Sequence, residues 1–281
     1  MLAYRHAFHA GNHADVLKHL VLIQLLQHLN QKEKGYRVID THAGAGAYRV
    51  GGSAQQQEWA DGVGRIWGAT DAPAGVAAYL ESVKAVNGAG KIKLLPGSPL
   101  IAQHHLRAQD ELHAFELHPT DLRQLEKLLT GLKGIHIHLG DGYQGLLPLL
   151  PPPTRRGLIL IDPPYELKAD YARVLAAVRG VLQKFPDAVL AVWVPQLQRL
   201  EAQQLPQRLV NAIKGVAKKG WLDASLTVLP GQDRGFGLLG SHMVVANPPH
   251  TLGPMLAAEL PWLAERLGQF PGAKGVLRAG A

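Results

Sequence analysis

The strongest constraint on the fold of this chain is a repeated alternation. Short, nearly continuous apolar runs recur at residues 36–40, 113–116, 135–139, 158–161 and 188–194, with stretches of helical periodicity such as 121–129 and 171–182 between them. Strands that are apolar on both faces and alternate with helices predict a parallel sheet covered on both sides. Upstream, Leu17, Leu20, Val21, Leu25 and Leu29 fall at helical spacing, with Asn12 as N-cap and Asp15 three residues on as its capping partner. This predicts a first helix over 12–30 whose apolar stripe faces the core. Residues 222–229 and 242–246 flank a glycine-rich loop and predict an antiparallel hairpin at the sheet's edge. Residues 51–93 have helical potential but no clear strand, and read as an inserted helical segment.

The 281 residues are 47% hydrophobic and 18% charged, which supports a packed core rather than disorder. There is no cysteine, so disulfides, thiolate metal sites and cysteine nucleophiles are excluded. No apolar run approaches the ~18 residues of a membrane span, and the first six residues lack a signal-peptide core. A cytoplasmic protein with no membrane partner is expected. The 29 Lys and Arg against 22 Asp and Glu leave a charge of +7, which makes a polyanion a natural partner.

Asp162-Pro163-Pro164-Tyr165 follows directly on the run 158–161, at a strand's carboxyl end, where open α/β sheets bind ligands. At average residue usage such a tetrapeptide arises by chance in about one chain in a thousand of this length. An exocyclic ring amine is a poor nucleophile while its lone pair is delocalised, and acceptors set against its hydrogens favour the pyramidal, reactive nitrogen. Asp162 supplies one acceptor, and the prolines hold the segment out of helix so that the Pro163 carbonyl is expected as a second. Tyr165 is expected to stack on an extruded base, a contact worth roughly 1–3 kcal/mol. Asp162, Pro163 and Tyr165 thus form the expected catalytic group for methylation of an adenine amine in nucleic acid. The motif does not separate RNA from DNA, so adenine-N6 or cytosine-N4 methylation of DNA is the rival reading, and a proline-stiffened turn the plainer one.

Asp40-Thr41-His42-Ala43-Gly44-Ala45-Gly46 ends the first predicted strand, and its glycines let the backbone pass close to a ligand. The third glycine of the dinucleotide fingerprint is missing and no acidic strand end follows ~20 residues on, which counts against a nicotinamide cofactor. Glu116 and Asp141 end later strands at spacings that suit one strand–helix repeat each, so Glu116, Asp141 and Asp162 are expected in that order along one edge. The first suits a cofactor's ribose hydroxyls and the second the amino group of its adenine.

Four of the 14 histidines fall within the first 19 residues. His9 and His13 have i, i+4 spacing but no carboxylate partner of recognised spacing, so no metal is expected. An aromatic and basic strip from Tyr4 through Lys18 suits a base and its phosphates better. Asn247-Pro248-Pro249-His250 imitates the Asp162 motif without its aromatic and reads as a turn.

Jointly, residues 4–19, 40–46, 96–99, 115–119, 141–142 and 155–166 closely resemble the RlmJ family of 23S ribosomal RNA adenine-N6 methyltransferases, along essentially the whole chain. The resemblance implies a Rossmann-like class I S-adenosylmethionine-dependent methyltransferase core, residues 1–50 and 94–281, with a small helical insertion at 51–93 and a substrate and cofactor motif at 1–20. It implies S-adenosyl-L-methionine as cofactor, S-adenosyl-L-homocysteine as product and 23S ribosomal RNA as partner; a monomer is expected. By position it puts His19, His42, Ser98, Glu116, Asp141, Gly142 and Asp162 around the cofactor together with Gly44 of the glycine turn, and Asp162 at the chemical step. Tyr4 is placed against the RNA, with His6 and Lys18 in the same motif. The chain departs from the family at His250, where an aromatic residue is expected.

Overall fold

Asn12 starts the first helix: its Oδ1 accepts the backbone N–H groups of Ala14 and Asp15 at 2.9 and 3.0 Å, two of the donors that a helix start leaves open. The computed structural model describes residues 6–51, 58–88, 90–231 and 237–281, so Tyr4 lies outside the described residues. In chain order the elements are α1 (His13–Asn30), β1 (Arg37–Asp40), β2 (Ala47–Arg49), α2 (Val63–Ile66), α3 (Ala74–Asn87), β3 (Leu94–Pro96), α4 (Ser98–His105), β4 (Glu111–Glu116), α5 (Pro119–Leu129) and β5 (Ile135–Leu139). There follow α6 (Gly142–Leu146), β6 (Gly157–Ile161), α7 (Lys168–Lys184), β7 (Val189–Gln196), α8 (Leu200–Ile213), β8 (Trp221–Thr227), β9 (Gly240–Ala246), α9 (Leu252–Leu267) and β10 (Lys274–Gly280).

One eight-stranded sheet runs β10-β8-β9-β7-β6-β1-β4-β5. The strands from β7 to β5 are parallel, and β9, β8 and β10 continue the sheet antiparallel. This is a Rossmann-like α/β core. The two-residue period of a strand sorts β6 between two cores: Leu158 and Leu160 join the residues of α1, α3, α4 and α9, while Ile159 and Ile161 join those of α7 and α8. The expected hairpin forms, with Leu222 opposite Val245, but β9 is wedged between β7 and β8, and β10 takes the edge. Among the described residues no helix is long and apolar enough to cross a membrane.

α1 has no one-sided stripe. His13, Asp15, Lys18, His19 and Gln24 are buried with its leucines, because α3, α4, α9 and β9 pack around it. Asp15 does not complete the expected capping box on Asn12; its carboxylate takes the Gly11 N–H at 2.9 Å instead. The glycine turn after β1 leads into β2 rather than a helix. β2 pairs antiparallel with β3, Tyr48 opposite Leu95, and the Gly97 N–H donates to the Gly46 carbonyl at 2.8 Å. The segment between β2 and β3 thus leaves and returns at one place, and its helix α3 packs Val76, Tyr79, Leu80 and Val83 into the core that α1 occupies.

Candidate active site

Four neighbouring parallel strands each end in an acid, and across the sheet these run Asp162, Asp40, Glu116, Asp141. Sequence spacing put Asp162 next to Asp141. The structure moves it to the far flank because the chain returns from β5 across β1 to β6, and this reversal opens the kind of crevice in which α/β sheets bind ligands. Asp40 is buried and accepts from Ser98 Oγ at 2.7 Å and from the His42 N–H at 3.2 Å; burial, only partly offset by these bonds, pushes its carboxyl up to about 6. Glu116 receives the N–H groups of His118 and Gly44 at 2.6 and 2.7 Å, yet burial still raises its pKa. Asp141 caps α6 through the Tyr143 N–H at 3.0 Å and pairs with Arg173, whose guanidinium stands 4.4 Å from the centre of the Tyr143 ring. Gly44 and Gly142 are required sterically: a Cβ would lie 2.2 Å from the Tyr48 hydroxyl at the first and 2.1 Å from the Thr41 carbonyl oxygen at the second.

Asp162 is tied to α1. Lys18 Nζ donates to Asp162 Oδ2 at 2.5 Å and pairs with Asp15 Oδ1 at 2.7 Å, and Asp15 pairs in turn with His6 Nε2 at 3.1 Å. Lys18, expected against RNA, is therefore enclosed between two carboxylates and only 4% exposed. Burial alone would lower its pKa, but Asp15 and Asp162 override that and raise it. Burial likewise opposes ionisation of Asp15, which His6 and Lys18 nonetheless hold well below the usual carboxylate range. His19 lies in the core against Tyr79, ring centres 6.3 Å apart, and is absent from the cavity wall; burial pushes it down to about 3.

Along the segment leaving β6, Asp162, Pro164 and Glu166 line the cavity, while Pro163 and Tyr165 are buried away from it. Tyr165, expected as a stacking face, is 2% exposed. Its hydroxyl donates to the Trp193 carbonyl at 2.7 Å, and its ring centre lies 5.0 and 5.9 Å from those of Tyr171 and Trp193. Its φ of +51° is in the left-handed region, rare for an aromatic residue and costing roughly 1–3 kcal/mol. That backbone turn and the aromatic packing put the ring inside, where it has no face to offer a base.

Of the residues singled out from sequence, the cavity wall brings together His6, Lys18, His42, Gly44, Ser98, Glu116, Asp141, Gly142 and Asp162; it omits Pro163, Tyr165 and His19. His42 sits edge-on to Tyr143, ring centres 4.9 Å apart, and burial pushes it down to about 4. Tyr143 and Arg173 on the wall, and Asp15 and Asp40 behind it, were not foreseen as site residues. Asp40 ends its strand as Glu116 does, so its signal was present; Arg173 sits on α7 with no spacing that marks it. Among the described residues no cluster of three or more His, Cys, Asp or Glu is arranged for a metal ion, and His9 pairs with Glu58 at 3.0 Å. Asn247, at φ +54°, donates to the Pro186 and Ala188 carbonyls at 2.7 Å and accepts the Lys219 N–H at 2.9 Å, tying loops together at the other end of the sheet.

The family profile described as "RsmJ: Ribosomal RNA large subunit methyltransferase D, RlmJ" matches residues 33–277. The chain is 42% identical over 269 residues to a protein of Escherichia coli (strain K12) named Ribosomal RNA large subunit methyltransferase J, covering 95% of this chain and 94% of that one. It is 41% identical over 270 residues, with the same coverage, to the protein of that name from Haemophilus influenzae. The crystal structure of protein LPL1258 from Legionella pneumophila is similar with a TM-score of 0.86 at 30% identity, over 97% of this chain and 98% of that one. A profile match over most of the length, with relatives this similar, shows that the chain belongs to the RlmJ family of large-subunit ribosomal RNA methyltransferases.

Proposed function

We propose that this chain transfers a methyl group from S-adenosyl-L-methionine to the N6 amine of an adenine in 23S ribosomal RNA, releasing S-adenosyl-L-homocysteine, and that it does so as a cytoplasmic monomer. Family membership supports the substrate and the cofactor. One observation carries the chemistry: Asp162 stands on the cavity wall with Lys18 bound to Oδ2, and among the described residues no hydrogen bond engages Oδ1.

The wall fits the cofactor by its donor and acceptor chemistry. Glu116, fixed by two backbone N–H groups, presents acceptors for ribose hydroxyls, and Asp141 an acceptor for the amino group of the cofactor's adenine. When bound, S-adenosylmethionine supplies an electrophilic methyl group on sulfur. Asp162 Oδ1 would accept an N–H of the target amine and hold the nitrogen pyramidal, and Asp162 or water would take the proton that the nitrogen gives up as its bond to the methyl carbon forms and the carbon–sulfur bond breaks. Lys18 keeps the carboxylate in place. His6, tilted against Tyr48 with ring centres 5.1 Å apart, flanks the entering base. Catalysis by this route is positioning and electrostatics, with no covalent enzyme intermediate.

Incubation with labelled S-adenosylmethionine and unmodified 23S ribosomal RNA, digestion to nucleosides and mass spectrometry should yield labelled N6-methyladenosine. Label in DNA alone, or in another nucleoside, overturns the reading. Asp162→Ala should keep cofactor binding and lose on the order of 100-fold in turnover; undiminished turnover would sink the role assigned to Asp162.

A further inference from the structure

Among the described residues the cavity carries no excess of positive charge. The wall carries Glu116, Asp121, Asp141, Asp162, Glu166 and Asp170 against Lys18 and Arg173, and both cations are already paired. A mouth with this balance does little to neutralise phosphates. Among the described residues, Lys32, Lys34, Arg156 and Lys219 lie instead at the opposite end of the sheet.

That end is where β1 and β6 begin, Arg37 opposite Gly157, and where β9 finishes, Ala246 opposite Trp221 and Leu190. The loop after α1 presents Lys32 and Lys34, both exposed. Arg156 braces it from beneath, donating to the Leu29 carbonyl at 2.6 Å and to that of Lys34, and Arg107 donates to the Lys32 carbonyl at 2.7 Å. The loop after α8 presents Lys218 and Lys219, also exposed, and is braced by Asn247. The two loops adjoin. Burial first, and then the charges of Lys219, His250, Lys32 and Arg156, lower the pKa of His28. His28 faces His250 edge-on, ring centres 6.1 Å apart, and both line an open groove with Lys218 and Lys219. Lys218 pairs with Asp187 at 2.8 Å, whereas among the described residues no carboxylate pairs with Lys32, Lys34, Arg156 or Lys219.

We propose that this basic face binds the sugar–phosphate backbone of the substrate RNA at a helix remote from the target adenine. Exposed lysines on braced loops act as point charges toward phosphates; they set orientation without reading sequence. Strands of four to eight residues at ~3.3 Å each separate this face from the strand-end acids by roughly 13–26 Å. A folded RNA in contact with the flank of the protein reaches both. The inference rests on ribosomal RNA being the substrate, and it divides labour between an acidic chemical end and a basic holding end.

The test uses the full chain with Lys32→Glu/Lys34→Glu, with Lys218→Glu/Lys219→Glu, and with the corresponding Gln pairs, binding a fluorescent 23S ribosomal RNA transcript over a range of salt. The Glu pairs should weaken RNA binding about tenfold or more and flatten its salt dependence by a slope of roughly 0.9 per lost phosphate contact. The KM for RNA should rise while kcat at saturating RNA, cofactor affinity and the thermal midpoint stay as in the parent, and the Gln pairs should show a smaller loss in the same direction. Affinity and salt slope unchanged in all four variants, or a loss independent of salt, overturns the proposal. If the parent binds the transcript and the variants bind it less, yet the parent transfers no methyl group, the functional reading fails and the face stands. If the parent methylates and the variants match it, the face alone fails.

Discussion

Removing the charge of Lys18 strands two carboxylates, the buried Asp15 and the half-buried Asp162. Breaking such a pair from one side costs about 3–5 kcal/mol, so Lys18→Met should lower the thermal midpoint by about 10 °C. A surface lysine that met phosphates would instead lose RNA affinity at an unchanged midpoint, so measuring both quantities separates the two roles. The strand-end acids were legible because a rare tetrapeptide and regular spacing marked them. Lys18, His19 and Tyr165 were not, because the direction of a side chain depends on packing. A helix enclosed on all sides turns its basic residues inward, and a left-handed φ at Tyr165 leaves no trace in sequence when the residue is neither Gly nor Asn.

At the level of elements, α1 carries both the cap and the lysine, and its start is fixed by Asn12. Asn12→Ala removes the bonds to Ala14 and Asp15 and the donation to Glu58 at 2.9 Å, and should cost about 1–2 kcal/mol in urea denaturation, with Asn12→Asp recovering most of it. A loss below ~0.3 kcal/mol would mean that packing alone sets the helix start. The cap and the five parallel strands were readable because each leaves a local mark. The regular pieces α4, α8, α9 and β10 were missed. Pro206 and Pro261 lie inside α8 and α9 and break a helical pattern read locally, although tertiary packing holds both helices. β10 contains Gly275 and Gly280 and is mostly exposed, so it has neither the alternation nor the residue types of a strand. The place of β9 between β7 and β8 was also beyond reach, since it is a long-range choice.

For the molecule as a whole, burial makes folding sensitive to acid. His13, His19 and His42 are pushed from about 6.5 to about 4, 3 and 4. The unfolded chain therefore binds more protons below pH 6.5, and the stability that these groups contribute is complete above that pH and lost as the pH falls toward 4. Each contributes a slope of roughly 1.4 kcal/mol per pH unit. Asp40, raised to about 6, acts in the opposite sense: its share is present below pH ~3.8 and lost as the pH rises through about 6. Three groups outweigh one, so urea midpoints at pH 7.5, 6 and 5 should fall in that order; a flat profile would mean that the histidines take up protons without unfolding. The pairing of β2 with β3 has another effect at this scale. The long excursion between them begins and ends on facing residues, Arg49 opposite Leu94, and lengthening such a loop costs only about 0.6 kcal/mol per doubling. The pair works as a socket: the length of what is plugged into it can change while Gly46 and Gly97 keep their bond, provided Val63, Ile66, Val76, Tyr79, Leu80 and Val83 still seat in the core and Glu58 still meets Asn12.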